Sequence, residues 1–321
     1  MSTWLPGGTP RTAARWFARR ASLAAIVVAG AVTAAFLGLE LTADDPALTV
    51  LGTTPRTPEL VEQVRAELAL DKPAWQRYLL MIGRVFTGDL GTSHQLQQPV
   101  WSLIGEQASA SAELVVAGIA VALVVASTSA IATAGGRRPM LRAALSAVEH
   151  VTAASPAFWF GLLLLGVFSF RLHLFPVAGG TGPRALVLPA LTLALELFGP
   201  FAQVLRAGLD TALREPFALT ARARGTTWER LLVRHALRHA LLPLVTLSGW
   251  TVGALLSGAV VIETVFGRQG LGRLLATAIT GHDLPVVVGV VTVSAVAFAV
   301  VSMVVDWLYG VIDPRTGEAI G

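Results

Sequence analysis

The sequence predicts an all-α, polytopic membrane protein with about six transmembrane helices, and three observations predict it. First, 54% of the residues are hydrophobic and only 14% are charged, with a mean hydropathy of +0.66. A soluble domain carries about a quarter charged residues, so this chain lacks the polar surface to cover itself in water. Second, several runs reach the roughly 20 apolar residues that a helix needs to cross a hydrocarbon layer about 30 Å thick. Third, the arginines gather mainly between those runs, as topology signals do.

The apolar runs are, in order, 22–41, 112–134, 151–170, 186–205, 241–266 and 285–311. The first follows Arg11, Arg15, Arg19 and Arg20. A basic start ahead of a full-length span reads as an uncleaved signal anchor rather than a cleavable signal peptide. The fifth run contains Gly249, Gly253 and Gly258, and small residues let helices approach closely in lipid. With the N-terminus cytoplasmic, the inner side receives the four N-terminal arginines, then Arg137, Arg138 and Arg142. It also receives Arg206, Arg214, Arg222, Arg224, Arg230, Arg234 and Arg238, and finally Arg315. The expected order is a cytoplasmic tail at 1–20, a first span at 21–42 and an extracytoplasmic segment at 43–110. A membrane core at 111–312 follows, with an inner loop at about 206–240, and then a cytoplasmic tail at 313–321.

Composition also removes several classes of chemistry. With no cysteine there are no disulfides, thiolate metal sites or cysteine nucleophiles. The net charge of +4 rests on arginine, with Lys72 the only lysine. These cations sit in loops rather than as a stripe on a folded domain, so no nucleic-acid partner is expected. A phosphate-cradling loop of the form Gly-x4-Gly-Lys-Ser/Thr needs a lysine after a glycine, and Lys72 follows Asp71. The chain is therefore not expected to carry an ATP site, and no catalytic residue is assigned.

Two loops exceed ordinary connector length. The outer one carries a helix start, with Thr57 as N-cap, Pro58 at the first helical position and Glu59 in the first turn. Leu60, Val61, Val64 and Leu68 then share one face. This reads either as an amphipathic cap lying on the membrane or as a structure that meets an external partner or closes over a substrate path. The inner loop suggests a short helix broken at Gly225, with Thr227 capping a second one. Trp228, Leu231, Leu232 and Leu237 give that second helix an apolar side, and Arg230, Arg234 and Arg238 recur every fourth residue on another. Such a helix can lie on anionic lipid or dock a cytosolic protein.

The inner loop also resembles the cytoplasmic loop of the permease subunits of ATP-binding-cassette importers, in the form found in dipeptide, oligopeptide and nickel systems. The matching residues are Thr220, Ala221, Arg222, Ala223, Arg224 and Gly225, then His235, Ala236, Leu237, Arg238, Ala240, Leu241, Leu242 and Pro243. Leu219 and His239 depart from the family's Arg or Glu and its Asn. Further segments resemble the same subfamily in the same order: residues 70–73, 88–93 and 155–159, then Glu263 to Phe266, Gly270 to Gly272, Asp283 with Pro285, and Asp313 to Arg315. The resemblance implies an importer type I permease fold. It also implies a second, related permease that completes the path, two ATPase subunits docked through the inner loop, and an extracytoplasmic binding protein that delivers solute. ATP and Mg would then be bound by the ATPase partners and no cofactor by this chain. Thr220 to Gly225, Trp228, His235 and Arg238 would form the ATPase-coupling element, with Trp228 as an aromatic anchor toward the partner.

An ion-coupled secondary transporter is the alternative, and such proteins carry ionisable residues deep in several spans. Glu196 is the clear mid-span acid, with Glu149 and His150 at a span edge. Glu196 reads either as a path residue that meets a cationic group on the solute, or as a hydrogen-bonded carboxyl near a helix break at Gly199 and Pro200. Pro156, Trp159 and Glu263 are the other candidates for lining the path. An intramembrane metalloenzyme is disfavoured, because His235 and His239 flank Ala-Leu-Arg and lack the Glu of His-Glu-x-x-His.

Overall fold

The computed structural model describes residues 10–41, 46–51, 57–67, 70–136, 138–180, 182–238, 240, 243–244, 247, 251 and 259–312. Among them the regular structure is helical, apart from one isolated bridge between Thr92 and Pro99. The helices are α1 (Pro10–Glu40), α2 (Pro46–Leu51), α3 (Pro58–Glu67), α4 (Ala74–Thr87), α5 (Val100–Thr133), α6 (Pro139–Ala154), α7 (Ala157–Leu164), α8 (Pro183–Ala212), α9 (Pro216–Ala223), α10 (Trp228–Arg230), α11 (Leu271–Thr280) and α12 (Leu284–Ile312). Beyond α7 and α10 the chain continues as wider turns over Leu165–Arg171 and Leu231–Ala236. Among the described residues, four helical stretches are long and apolar enough to cross a membrane: Ala18–Glu40, Val100–Gly136, Pro183–Ala212 and Leu284–Val305. A fifth follows if the bent pair Pro139–Ala154 and Ala157–Arg171 forms one span.

The predicted boundaries shift in three places. Helix α5 begins at Val100 rather than near residue 112, because Val100, Leu103 and Ile104 bury an apolar face there. The predicted span 151–170 is broken, with α6 and α7 bent by 108°. Ser155 and Pro156 are both extended between them, as expected where proline follows a residue that it pushes out of the helical region. Helix α8 runs on through Pro189 and Pro200 to Ala212, so Gly199 and Pro200 do not interrupt it, and the inner loop begins at Leu213 rather than near residue 206. Most of the predicted span 241–266, including Gly249, Gly253 and Gly258, lies outside the described residues, as do the tail at 313–321, Leu68 and His239.

The chain forms two compact units. One comprises residues 112–268 with the chain from Val301 onward. It is built round α8, whose Leu193, Leu197, Phe198, Phe201, Ala202, Leu205 and Leu209 are buried in one apolar cluster with Ala122, Ala126 and Ala130 of α5. Alanines at four-residue spacing present a flat face that lets α5 approach α8 closely. A Cβ on Gly118 would lie 2.4 Å from Leu193 Cδ2, and one on Gly199 would lie 2.3 Å from the carbonyl oxygen of Glu149. Gly199 therefore serves the crossing of α6 over α8.

The other unit comprises residues 10–111 and 269–300. Here Tyr78 of α4 stands 5.6 Å from Phe36 of α1, ring to ring, its hydroxyl lies 2.8 Å from Thr33 Oγ1, and Arg77 pairs with Glu40. The predicted cap forms, with the Leu60 N–H donating to Thr57 Oγ1 at 3.3 Å. Two motifs about 190 residues apart also meet. The buried Asp283 carboxylate accepts from Ser93 Oγ and from the backbone N–H groups of His94 (3.2 Å) and Gln95 (3.3 Å). Three donors on one carboxylate fix the 93–96 turn against the start of α12.

Candidate functional site

The inner segment from Pro216 folds as a helix, a reversal and a second helix. Proline at the first position of α9 has a ready-made φ and no N–H to leave unpaired. The helix closes on Gly225, where φ is +76°. The Gly225 N–H donates to the Arg222 carbonyl at 3.0 Å and the Thr226 N–H to the Ala221 carbonyl at 3.0 Å. This pair of bonds around a left-handed residue is the Schellman ending, and glycine takes that conformation without a steric cost. The reversal leaves Arg222, Ala223, Arg224 and Gly225 exposed at the apex, and nothing lies within 4 Å of a Cβ built on Gly225.

The segment is anchored from beneath. Ala218, Leu231, Leu232 and Ala236 are buried in the α8 cluster, and a Cβ on Gly208 would lie 2.9 Å from the Ala240 backbone. Thr227 begins the second helix through its carbonyl, which accepts from the Leu231 N–H at 2.9 Å, while its side chain makes no cap bond. His235 and Arg238 are exposed further along, and Thr220 is exposed on α9 with its hydroxyl donating to the Pro216 carbonyl. The resemblance implies Trp228 as an aromatic anchor toward the partner. Its ring is half-buried, seated on Gly135 with the Arg222 guanidinium 5.3 Å from the ring centroid. This seat wedges part of the ring against the connection at Gly135.

Pro156 and Trp159 are exposed at the α6–α7 break, and Trp159 packs edge-on against Phe160 at 5.2 Å. Glu263 is fully buried. Glu196 is half-buried, and its Oε2 has no hydrogen-bond partner among the described residues. An acid so placed in lipid costs a few kcal/mol unless it is paired or reaches water.

Two polar constellations were not anticipated from sequence. Glu149 of α6 is fully buried and takes a bidentate ion pair from Arg206 of α8, with Arg206 Nη1 donating to Oε1 at 2.9 Å and Nη2 to Oε2. Ser129 of α5 donates to the same carboxylate at 3.0 Å. Arg206, grouped with the loop cations on sequence, is thus an interior residue. The signal that could have found the pair is one acid and one base of opposite sign at neighbouring span edges. The second constellation is Asp210 of α8, which accepts from the Gly135 N–H at 2.9 Å and from Arg142 Nη2 at 2.8 Å. Among the described residues no group of three or more His, Cys, Asp or Glu could hold a metal ion.

Comparison with known proteins places this geometry. Residues 126–318 match the family described as the inner membrane component of binding-protein-dependent transport systems. The dipeptide transport system permease protein DppB of Escherichia coli K12 is 32% identical, covering 92% of this chain and 97% of that relative. A putative peptide permease protein of Brucella suis biovar 1 is 35% identical over 87% of this chain and 92% of its own length. A putative peptide transport system permease protein of Brucella abortus is 34% identical, with 87% and 91% coverage. The exposed turn of the inner segment and the helices beneath it lie inside the matched region. The chain belongs to the family of binding-protein-dependent transport system inner membrane components and is a multi-pass membrane permease subunit of an importer.

Proposed function

We propose that this chain forms half of a translocation path for peptides or a related small solute, nickel or its chelates included. A second, related permease completes the path, and an extracytoplasmic binding protein delivers the solute. Two separate subunits bind ATP and Mg, and they dock at residues 216–238. Both termini lie in the cytoplasm, and residues 43–110 lie outside. The observation that carries the coupling reading is the apex of Arg222, Ala223, Arg224 and Gly225, held out by a hydrogen-bonded reversal on a segment anchored to α8. A rigid projection with basic side chains at its tip suits insertion into a cleft on a cytosolic subunit. The relatives named as dipeptide and peptide permeases support the solute class.

The test is reconstitution of the whole complex in vesicles with di- and tripeptides as solutes. Arg224→Glu should leave the permease pair formed but lower ATPase co-purification and ATP-driven uptake together, by about tenfold for a charged interface contact. Full association with full uptake would sink the coupling reading. In the same vesicles, Glu196→Gln should reduce uptake of cationic peptides more than neutral ones, because the half-buried carboxylate is read here as a path residue. Equal loss for both classes, with loss of assembly, would make Glu196 a packing residue instead.

A further inference from the structure

The wedge under the coupling segment is not explained by docking alone. Trp228 opens the second helix of that segment, yet its ring lies on the connection between α5 and α6. A Cβ on Gly135 would stand 2.6 Å and 2.8 Å from two of its ring carbons. Gly135 holds φ at +68°, so glycine is needed there both for the backbone and for room. The same connection is tied to α8 at two points by Asp210, through the Gly135 N–H and through Arg142. Arg222 of α9 lies over the ring, at a distance suited to a cation–π contact. The surrounding cleft, about 800 Å³, is lined by Gly136, Arg214, Thr226 and Leu231 among others.

We propose that Trp228 is a positioning residue that clamps the α5–α6 connection onto the coupling segment. It thereby passes movement of the docked turn to α5 and α6 as well as to α8. This rests on the coupling reading above. Among the described residues, the apex is also anchored on α8 through Ala218, Leu231, Leu232 and Ala236. Trp228, Gly135, Asp210, Arg142 and Arg222 form one continuous packed and hydrogen-bonded link, which is the kind of contact network that carries coupling between sites. The ring already meets Gly135 at its edge carbons and the Arg222 guanidinium at 5.3 Å, both within this chain.

The experiment uses the complete complex in vesicles and measures ATPase co-purification, solute-stimulated ATP hydrolysis and solute moved per ATP. Trp228→Ala should keep the ATPase associated but lower solute moved per ATP by at least about fivefold, the low end of coupling effects between sites. Trp228→Phe, which keeps a ring over Gly135, should retain most of that ratio. Gly135→Ala should lower the ratio in the wild-type chain and lower it less when Trp228 is already alanine, because the Cβ then has no ring to strike. An unchanged ratio in Trp228→Ala, or strictly additive effects of the two substitutions, would overturn the clamp. Loss of ATPase association in Trp228→Ala to the extent seen for Arg224→Glu would also overturn it, by assigning the ring to the docking face while leaving the coupling reading intact. If Trp228→Ala fails to assemble, a Trp228→Phe chain with a normal ratio and a Gly135→Ala chain with a lowered one still support the clamp, and the reverse pattern overturns it.

Discussion

Gly225 joins a backbone requirement to an exposed position, and the two can be separated. Its φ of +76° is a conformation that non-glycine residues adopt at a cost of about 1 kcal/mol, more for β-branched ones. The empty space around its Cβ direction means that, among the described residues, nothing obstructs a side chain. Asparagine tolerates the left-handed region, so Gly225→Asn should preserve the reversal while adding bulk at the apex. Gly225→Val should both strain the turn and add bulk. If a partner's surface closes on the apex, both substitutions should lower ATPase association and solute-stimulated hydrolysis. If only the turn matters, Asn should behave nearly as wild type and Val should be defective. Co-purification from membranes expressing the full complex separates these outcomes. This glycine was legible in the sequence, because its place between two short helical patterns demanded a break. The seat of the Trp228 ring was not, because aromatic residues serve equally well as wedges within a chain and as anchors to a partner, and one-dimensional spacing cannot say which surface lies opposite.

Within the helices, the pairing of Glu149 with Arg206 decides how α5, α6 and α8 hold together. Arg206 keeps only 9% of its side-chain surface exposed and Glu149 none, and removing one member of such a pair leaves a bare charge that costs about 3–5 kcal/mol. Glu149→Ala and Arg206→Ala should each lower the thermal stability of the purified complex sharply. The exchange Glu149→Arg with Arg206→Glu should recover part of that loss, since opposite charges again face each other. Melting curves of the complex in detergent check this, and an exchange no better than either single change would show that the pair does not govern the packing. The apolar periodicity of α8 was enough to predict a span, but not its length. Gly199 and Pro200 suggested an earlier break, yet the tight contact of Gly199 with the α6 backbone and the continuous apolar face keep the helix intact. Proline did break the chain at Ser155 and Pro156, where both residues are extended. The difference lies in tertiary packing, which a propensity does not contain.

Across the whole molecule, orientation is the property on which the remaining assignments depend, and α5 offers a direct way to measure it. Its 34 residues extend about 51 Å at 1.5 Å per residue, well beyond the roughly 30 Å of hydrocarbon in a bilayer. Gln98 precedes its N-terminal end and Met140 follows its C-terminal end, and both are exposed, Met140 at 87%. Ser93, closer to the motif in the outer segment, is only 1% exposed and would report poorly. Because the natural chain contains no cysteine, Gln98→Cys and Met140→Cys each introduce a single reactive thiol. An impermeant maleimide added to intact cells should modify position 98 directly and position 140 only after the membrane is opened. The expectation follows from Arg137, Arg138 and Arg142 at the C-terminal end of the span, since short basic loops remain on the cytoplasmic side. Labelling in the reverse order would invert the chain, setting the basic apex at Arg222 and Arg224 on the outer face, away from ATP, and the coupling reading would fail with it. Labelling of both positions in intact cells would mean that α5 does not cross the bilayer, against the reading of its length and apolar composition as a span.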